Sequence, residues 1–182
     1  FLYQQNTIRD ALVAGVNLNI FNNHCDRVQM ANIAQLINVL QSVILTEGEK
    51  MILTPTYHVF SMYKVHQDAE LLPVTIDSGE YRFGDNAIPQ VSASASVDGE
   101  GKIHISLCNL SQESSAQISC SLRGGNYTSV SGTILTAPAM NAHHTFEAPE
   151  NVKPKAFDGA SIKDNTIELS MPAMSVIVLE IR

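Results

Sequence analysis

The side chains that could do chemistry in this sequence are few and scattered. His143-His144 is an adjacent imidazole pair. Neighbouring loop residues rarely both ligate one ion, and no third ligand stands near them, so loop contacts are expected there rather than a metal. Glu47 and Glu49 flank Gly48 in a turn pattern and read as solvated carboxylates. Nothing sets two carboxyl groups across a cleft, as acid–base hydrolysis of a glycoside requires. The GxSxG, HExxH, P-loop and GxGxxG patterns are absent. What is left is amide chemistry. Gln35, with Asn32 and Asn38 near it, can donate and accept at once, which suits a sugar hydroxyl. On spacing alone, satisfying backbone groups remains the favoured use of those amides. His24 precedes Cys25-Asp26 at a helix end, where an imidazole suits the last carbonyls.

The elements that must position Gln35 come next. Ile8, Leu12, Val16 and Ile20 step by four and put an apolar stripe on a helix over about residues 6–23, which Asn6 can cap. Asn17, Asn19 and Asn22 interrupt the apolar surface. Val28 to Ile33 is apolar on both faces, the pattern of a strand buried in a parallel sheet. Ligands of β/α folds collect at the carboxyl ends of such strands, which is where Gln35 falls. Helix then buried strand is half of a repeat that cannot close a sheet by itself. Apolar runs either side of Glu47-Gly48-Glu49 predict a hairpin, and Thr54-Pro55 predicts a helix start ending near Gln67.

After Pro73 the composition changes: 15 of the 17 serines lie beyond it. There the text alternates with period two and is broken by Gly, Asn, Asp and Pro, the signature of a β-sandwich. Val91, Ala93, Ala95 and Val97 face one way and Ser92, Ser94 and Ser96 the other, followed by a turn at Asp98–Gly101 and a partner strand through Ile103, Ile105 and Leu107. Further strands are expected around Ile118–Leu122, Val130–Leu135, Ile167–Met171 and Val176–Ile181, with a loop over Pro138–Pro154.

The chain has 182 residues, 45% hydrophobic, and a net charge of −7. It can bury a core. The acidic balance without a Lys/Arg patch argues against nucleic acid, and no apolar run is long enough to span a membrane as a helix. Cys25, Cys108 and Cys120 are too sparse for a disulfide framework. Cys108 and Cys120 sit in two runs that could pair as neighbouring strands, so one bridge is geometrically open, with two reduced thiols the favoured reading. The first residue is Phe, and a piece of a longer chain is expected, with the compartment left open between cytoplasm and periplasm.

The run from His24 to Leu40 (HCDRVQMANIAQLINVL) resembles the HADRV…MANxAQxVNVL region of glycoside hydrolase family 51, the α-L-arabinofuranosidases. Asn6–Gly15 resembles the family's helix before the last barrel strand, Ile44–Lys64 its ILT…TPTYHVFxMY segment, and Met171–Val176 its LPxxSV entry to the final strand. Cys25 stands where Ala is common and Ile37 where Val is usual. The resemblance covers the whole chain and is strongest over 6–66. It implies a mixed fold: residues 1–70 as the last units of a (β/α)8 barrel and 71–182 as a jelly-roll-like β-sandwich. It implies a retaining exo-hydrolase acting on terminal α-L-arabinofuranosyl groups of arabinan or arabinoxylan, with both reactive glutamates upstream of Phe1. It implies no cofactor, an arabinofuranosyl oligosaccharide as substrate, and leaves a homo-oligomer open. Gln35 matches the family glutamine that hydrogen-bonds the arabinofuranose; Asn32 and Asn38 are weaker matches to a binding role. The rival reading is a free-standing carbohydrate-binding sandwich, which the lack of Trp and the few aromatics beyond Pro73 disfavour.

Overall fold

The computed structural model describes residues 4–182. Helix α1 (Ile8–Asn23) is followed by irregular chain, the hairpin β1 (Ile44–Glu47) and β2 (Lys50–Leu53), and helix α2 (Pro55–Met62), which tightens into a 3-10 turn over Tyr63–His66. The strands that follow are β3 (Glu70–Leu72), β4 (Glu80–Phe83), β5 (Asn86–Pro89), β6 (Val91–Val97), β7 (Ile103–Asn109), β8 (Ala116–Ser121), β9 (Val130–Thr136), β10 (Lys155–Phe157), β11 (Ala160–Lys163), β12 (Thr166–Met171) and β13 (Ser175–Ile181). A six-stranded sheet, ordered β10-β9-β13-β7-β6-β3, packs on a three-stranded sheet ordered β11-β12-β8; every pairing in both is antiparallel. This is the expected sandwich.

The large sheet is buried on both faces. All seven residues of β7 are buried. Toward the small sheet, Ala93, Ala95, Ile103, Ile105, Leu107, Ile177 and Leu179 meet Ile167, Leu169 and Met171 of β12. Each of the larger aliphatic side chains gains about 1.5–3 kcal/mol by leaving water. Toward the helices, Cys108, Leu135, Val176 and Val178 meet Ile8, Ala11, Leu12, Val59 and Tyr63. The helical and serine-rich parts of the sequence therefore share one core.

The sheet face turned to α1 is partly hydroxyl. Asn19 is fully buried there: its amide nitrogen donates to Ser92 Oγ at 3.2 Å, and Ser94 Oγ donates to its carbonyl at 2.8 Å. Asn22 donates to Ser94 Oγ (3.1 Å) and Asn23 to the Ala93 carbonyl (2.9 Å). This corrects two readings of the helix. The inward face runs Ile8–Ala11–Leu12–Gly15–Asn19, while Ile20 is 47% exposed. The asparagine read as an interruption is the contact, because the opposing strand offers serine hydroxyls that a buried amide can satisfy.

The start of α1 also differs in detail, whereas that of α2 is as expected. Thr7, not Asn6, is the cap of α1. The Asp10 carboxylate accepts from Thr7 N and Thr7 Oγ1, both at 2.8 Å. The amides of Ile8 and Arg9 donate to the carbonyls of Ala142 and Met140, so the Pro138–Pro154 loop straps the helix start. Asn6 is buried and tied elsewhere: it donates to the Ser42 carbonyl and accepts from Thr56 Oγ1. Thr54 caps α2, accepting from Tyr57 N, with Pro55 in the first turn.

Val28–Ile33 is not a strand here. It is irregular, and Met30 is 77% exposed. A parallel strand needs neighbours for its ladder, and none flanks this stretch among the described residues. Nor are Cys108 and Cys120 on neighbouring strands. β7 lies between β6 and β13, β8 pairs with β12 in the other sheet, and all three cysteines are free. Burial lifts the Cys108 thiol to about 12, leaving an inert core side chain. An unforeseen hairpin, β4–β5, stands apart as its own two-stranded sheet with Phe83 82% exposed.

Five histidines lie in or near the helical layer. His66 bridges two hydroxyls, Nδ1 to Ser96 Oγ at 2.7 Å and Nε2 to Ser106 Oγ at 2.6 Å. Burial, with His104 nearby, lowers its pKa to about 4. His104 donates through Nε2 to Asp98 Oδ2 at 3.0 Å, and that bond, chiefly, holds the Asp98 carboxyl down to about 2. His58 on α2 lies against the His144 ring, 5.8 Å between centroids, and burial followed by His144 lowers it to about 4. His143 bonds through Nδ1 to the Asn141 carbonyl. No group of three or more metal-ligating side chains occurs among the described residues.

Two outcomes are expected. A Cβ on Gly15 would lie 2.5 Å from Cys108 Sγ, so Gly15→Ala should cost about 1–3 kcal/mol in urea unfolding through overpacking. His58 and His66 bind protons more readily unfolded (ordinary value 6.5) than folded (about 4), so stability present above 6.5 should fall as pH drops from 6.5 towards 4. His66→Gln, which keeps a donor and an acceptor without titrating, should show a shallower fall in urea midpoint across that range; equal slopes would contradict it.

Candidate functional site

Gln35 lies in the irregular chain between α1 and the β1–β2 hairpin. The geometry around it starts from the hairpin. Gly48, at φ +58°, closes the tight turn that joins β1 to β2. β1 then offers its free edge to residues 36–38. Asn38 N donates to the Ile44 carbonyl and Ile44 N to the Leu36 carbonyl, both at 3.1 Å, with a parallel bridge between Ile37 and Ile44. Asn38 sits at φ +59°, the left-handed region that asparagine tolerates better than most residues. Its amide is engaged at both ends by one residue: Nδ2 donates to Thr46 Oγ1 at 2.8 Å, and Oδ1 accepts from Thr46 N at 2.7 Å. On the other side Gln41 Nε2 donates to the Ala34 carbonyl. The Ala34–Gln35 peptide is cis.

Gln35 is thus held between two anchored carbonyls, those of Ala34 and Leu36, with an exposed side chain. Such an amide is free to donate to one hydroxyl and accept from another. Asn32 is also exposed but lines a different feature, a groove of about 420 Å³ between α1 and the chain over 31–41, whose walls include Val13, Leu18, Phe21, Ile33 and Phe60. The structure does not bring Asn32, Gln35 and Asn38 to one cavity. Asn38 is consumed in holding the loop, Asn32 belongs to the groove, and Gln35 stands alone at the loop crest. The sequence does not announce the loop bracket. Its signal was weak: an Asn four residues after an Ala, and a Thr eight residues further on.

Glu47 and Glu49, weighed as carboxylates, are exposed on the hairpin. What the described residues present at Gln35 is an exposed amide, flanked by backbone that is tied on both sides.

The family description "Alpha-L-arabinofuranosidase C-terminal domain" matches residues 1–175. An intracellular exo-α-L-arabinofuranosidase of Bacteroides ovatus is 46% identical over 182 residues, covering 100% of this chain and 35% of that protein. An intracellular exo-α-(1→5)-L-arabinofuranosidase of Streptomyces lividans is 28% identical over 173 residues, covering 93% of this chain and 26% of that one. Among solved structures, the GH51 arabinofuranosidase of Xanthomonas axonopodis pv. citri superposes with a TM-score of 0.97 at 47% identity, over 100% of this chain and 37% of that one. The Thermotoga maritima α-L-arabinofuranosidase, solved as an arabinose complex, gives 0.84 at 25% identity over 98% and 39%. The chain spans about a third of the length of the curated relatives it matches. With a match that runs almost from end to end, the chain belongs to the α-L-arabinofuranosidase C-terminal domain family.

Proposed function

We propose that this chain is the C-terminal part of a retaining, exo-acting α-L-arabinofuranosidase that removes terminal α-L-arabinofuranosyl groups from arabinan or arabinoxylan. The observation that carries the reading is the match over residues 1–175 together with an exposed, anchored Gln35 in the segment most like the family. In the whole enzyme, residues 1–70 supply the last helix and strand of a (β/α)8 barrel and 71–182 the sandwich that braces it. In support, apolar side chains in this region face outward: Val13 is 57% exposed, Met30 77% and Leu36 62%. Apolar exposure along one segment is what a missing packing partner leaves behind.

The chemistry divides accordingly. One glutamate protonates the leaving glycosidic oxygen while a second attacks the anomeric carbon, and water then releases the glycosyl-enzyme with the first acting as base. Both glutamates are supplied by the part of the enzyme that precedes this stretch. Gln35 contributes binding: its amide donates to one furanose hydroxyl and accepts from another, fixing the ring against the two carboxyl groups. A contact that orients the sugar lowers the barrier by holding reacting atoms in line. Asn32 is a secondary contact at most, since it lies on the groove wall beside α1.

The test is kinetic. In the whole enzyme, Gln35→Ala should lower kcat/KM on an aryl α-L-arabinofuranoside by about 10- to 100-fold, the loss of one or two hydrogen bonds to a bound hydroxyl. The 182-residue chain alone should give no turnover of the same substrate; turnover by the pure chain would defeat this division of labour.

A further inference from the structure

We infer that Asn38 is a positioning residue for Gln35: it sets the sugar-binding amide by clamping the following loop to the β1 edge, and does not itself touch substrate. The inference rests on the assignment of Gln35 to sugar binding. Three observations carry it. Both hydrogen-bonding ends of the Asn38 amide are taken by Thr46, at 2.8 and 2.7 Å. The backbone on either side of Ile37 is paired to Ile44, so the clamp runs through Leu36, the immediate neighbour of Gln35. Asn38 adopts φ +59°, where a β-branched or bulky residue would be strained, so the loop path and the side-chain clamp call for the same residue type. Gln41, bonded to the Ala34 carbonyl, fixes the preceding peptide. The Gln35 backbone is thus tied on both flanks, to β1 through Leu36 and to Gln41 through Ala34.

The clamp is solvent-exposed, so each bond alone adds little to global stability. Its value lies in geometry, where a displacement of about 1 Å can cost up to 100-fold in rate. Asn38→Gly separates the two contributions. It keeps the left-handed backbone open and removes only the amide. Asn38→Asp restores the clamp, because Thr46 N–H can donate to one carboxylate oxygen and the Thr46 hydroxyl to the other.

The experiment is a double-mutant cycle in the whole enzyme, with kcat and KM measured on an aryl α-L-arabinofuranoside. Asn38→Gly should lower kcat/KM by about tenfold, and Asn38→Asp should recover most of that loss. The Gln35→Ala/Asn38→Gly double variant should be no worse than Gln35→Ala alone, since Asn38 acts only through Gln35. A merely structural asparagine would lower activity equally with and without Gln35. If Gln35→Ala is impaired but Asn38→Gly matches the wild type, or if the two losses multiply, the positioning role is overturned while the reading of Gln35 stands. If Gln35→Ala itself is silent, the reading of Gln35 fails and takes the positioning role with it. Should Asn38→Gly not fold, Thr46→Val removes the acceptor from the opposite side and is scored by the same criteria.

Discussion

The placement of the helical layer hangs on the seam between α1 and β6. The six-stranded sheet is covered on one side by hydrocarbon from the small sheet and on the other by a helix that meets it partly through amides and hydroxyls. A buried amide without partners would cost about 1–3 kcal/mol, so Asn19 tolerates only a helix position at which Ser92 and Ser94 are both in reach. Gly15 permits that approach, one turn earlier, by leaving room for the Cys108 sulfur. Tyr63, buried and donating to the Gly15 carbonyl, joins the second helix to the same spot. The His66 bridge to Ser96 and Ser106 extends the polar contact along the sheet. Helix placement, and through it the course of the chain after His24, follows from this seam.

The sandwich was legible because period-two alternation runs through β6, β7, β8 and β12, and because turn residues such as those at Asp98–Gly101 are chemically explicit. Asp98 Oδ1 accepts from the amides of Glu100 and Lys102, and Gly101 takes φ +81°. The β1–β2 hairpin and the Thr54-Pro55 helix start were legible for the same reason. What the residues could not display was the second covering of the large sheet. Serines opposite alanines look like a solvated face, and only the asparagines of a distant helix, more than 70 positions away, show them to be an interior one. The reading of Ile20 as inward failed there as well: counting apolar side chains ignores a helix that docks through polar ones.

Val28–Ile33 fails differently. Its residues have the composition of a doubly buried strand, yet composition supplies no ladder. The same residues that read as strand in sequence lie as irregular chain beside a groove. Gln35 is marked in the sequence only by its neighbours and their family likeness. The bracket around it, by contrast, is a matter of three-dimensional pairing: Asn38 with Thr46 and Gln41 with Ala34 connect residues whose types alone are unremarked in any loop.

The directional character of the α1–β6 seam has a consequence for how such proteins can be recombined. Oily surfaces tolerate sliding and swivelling, so a helix docked by hydrocarbon alone can be borrowed from a cousin and settle into a new pose. A helix keyed by Asn19, Asn22 and Asn23 into Ser92, Ser94 and a backbone carbonyl has one pose, and both halves of the key must travel together. In chimaeras spliced from two parents, the crossover that looks natural, at the change of composition near Pro73, cuts between lock and key; inheritance of α1 and β6 from the same parent is the rule this architecture sets.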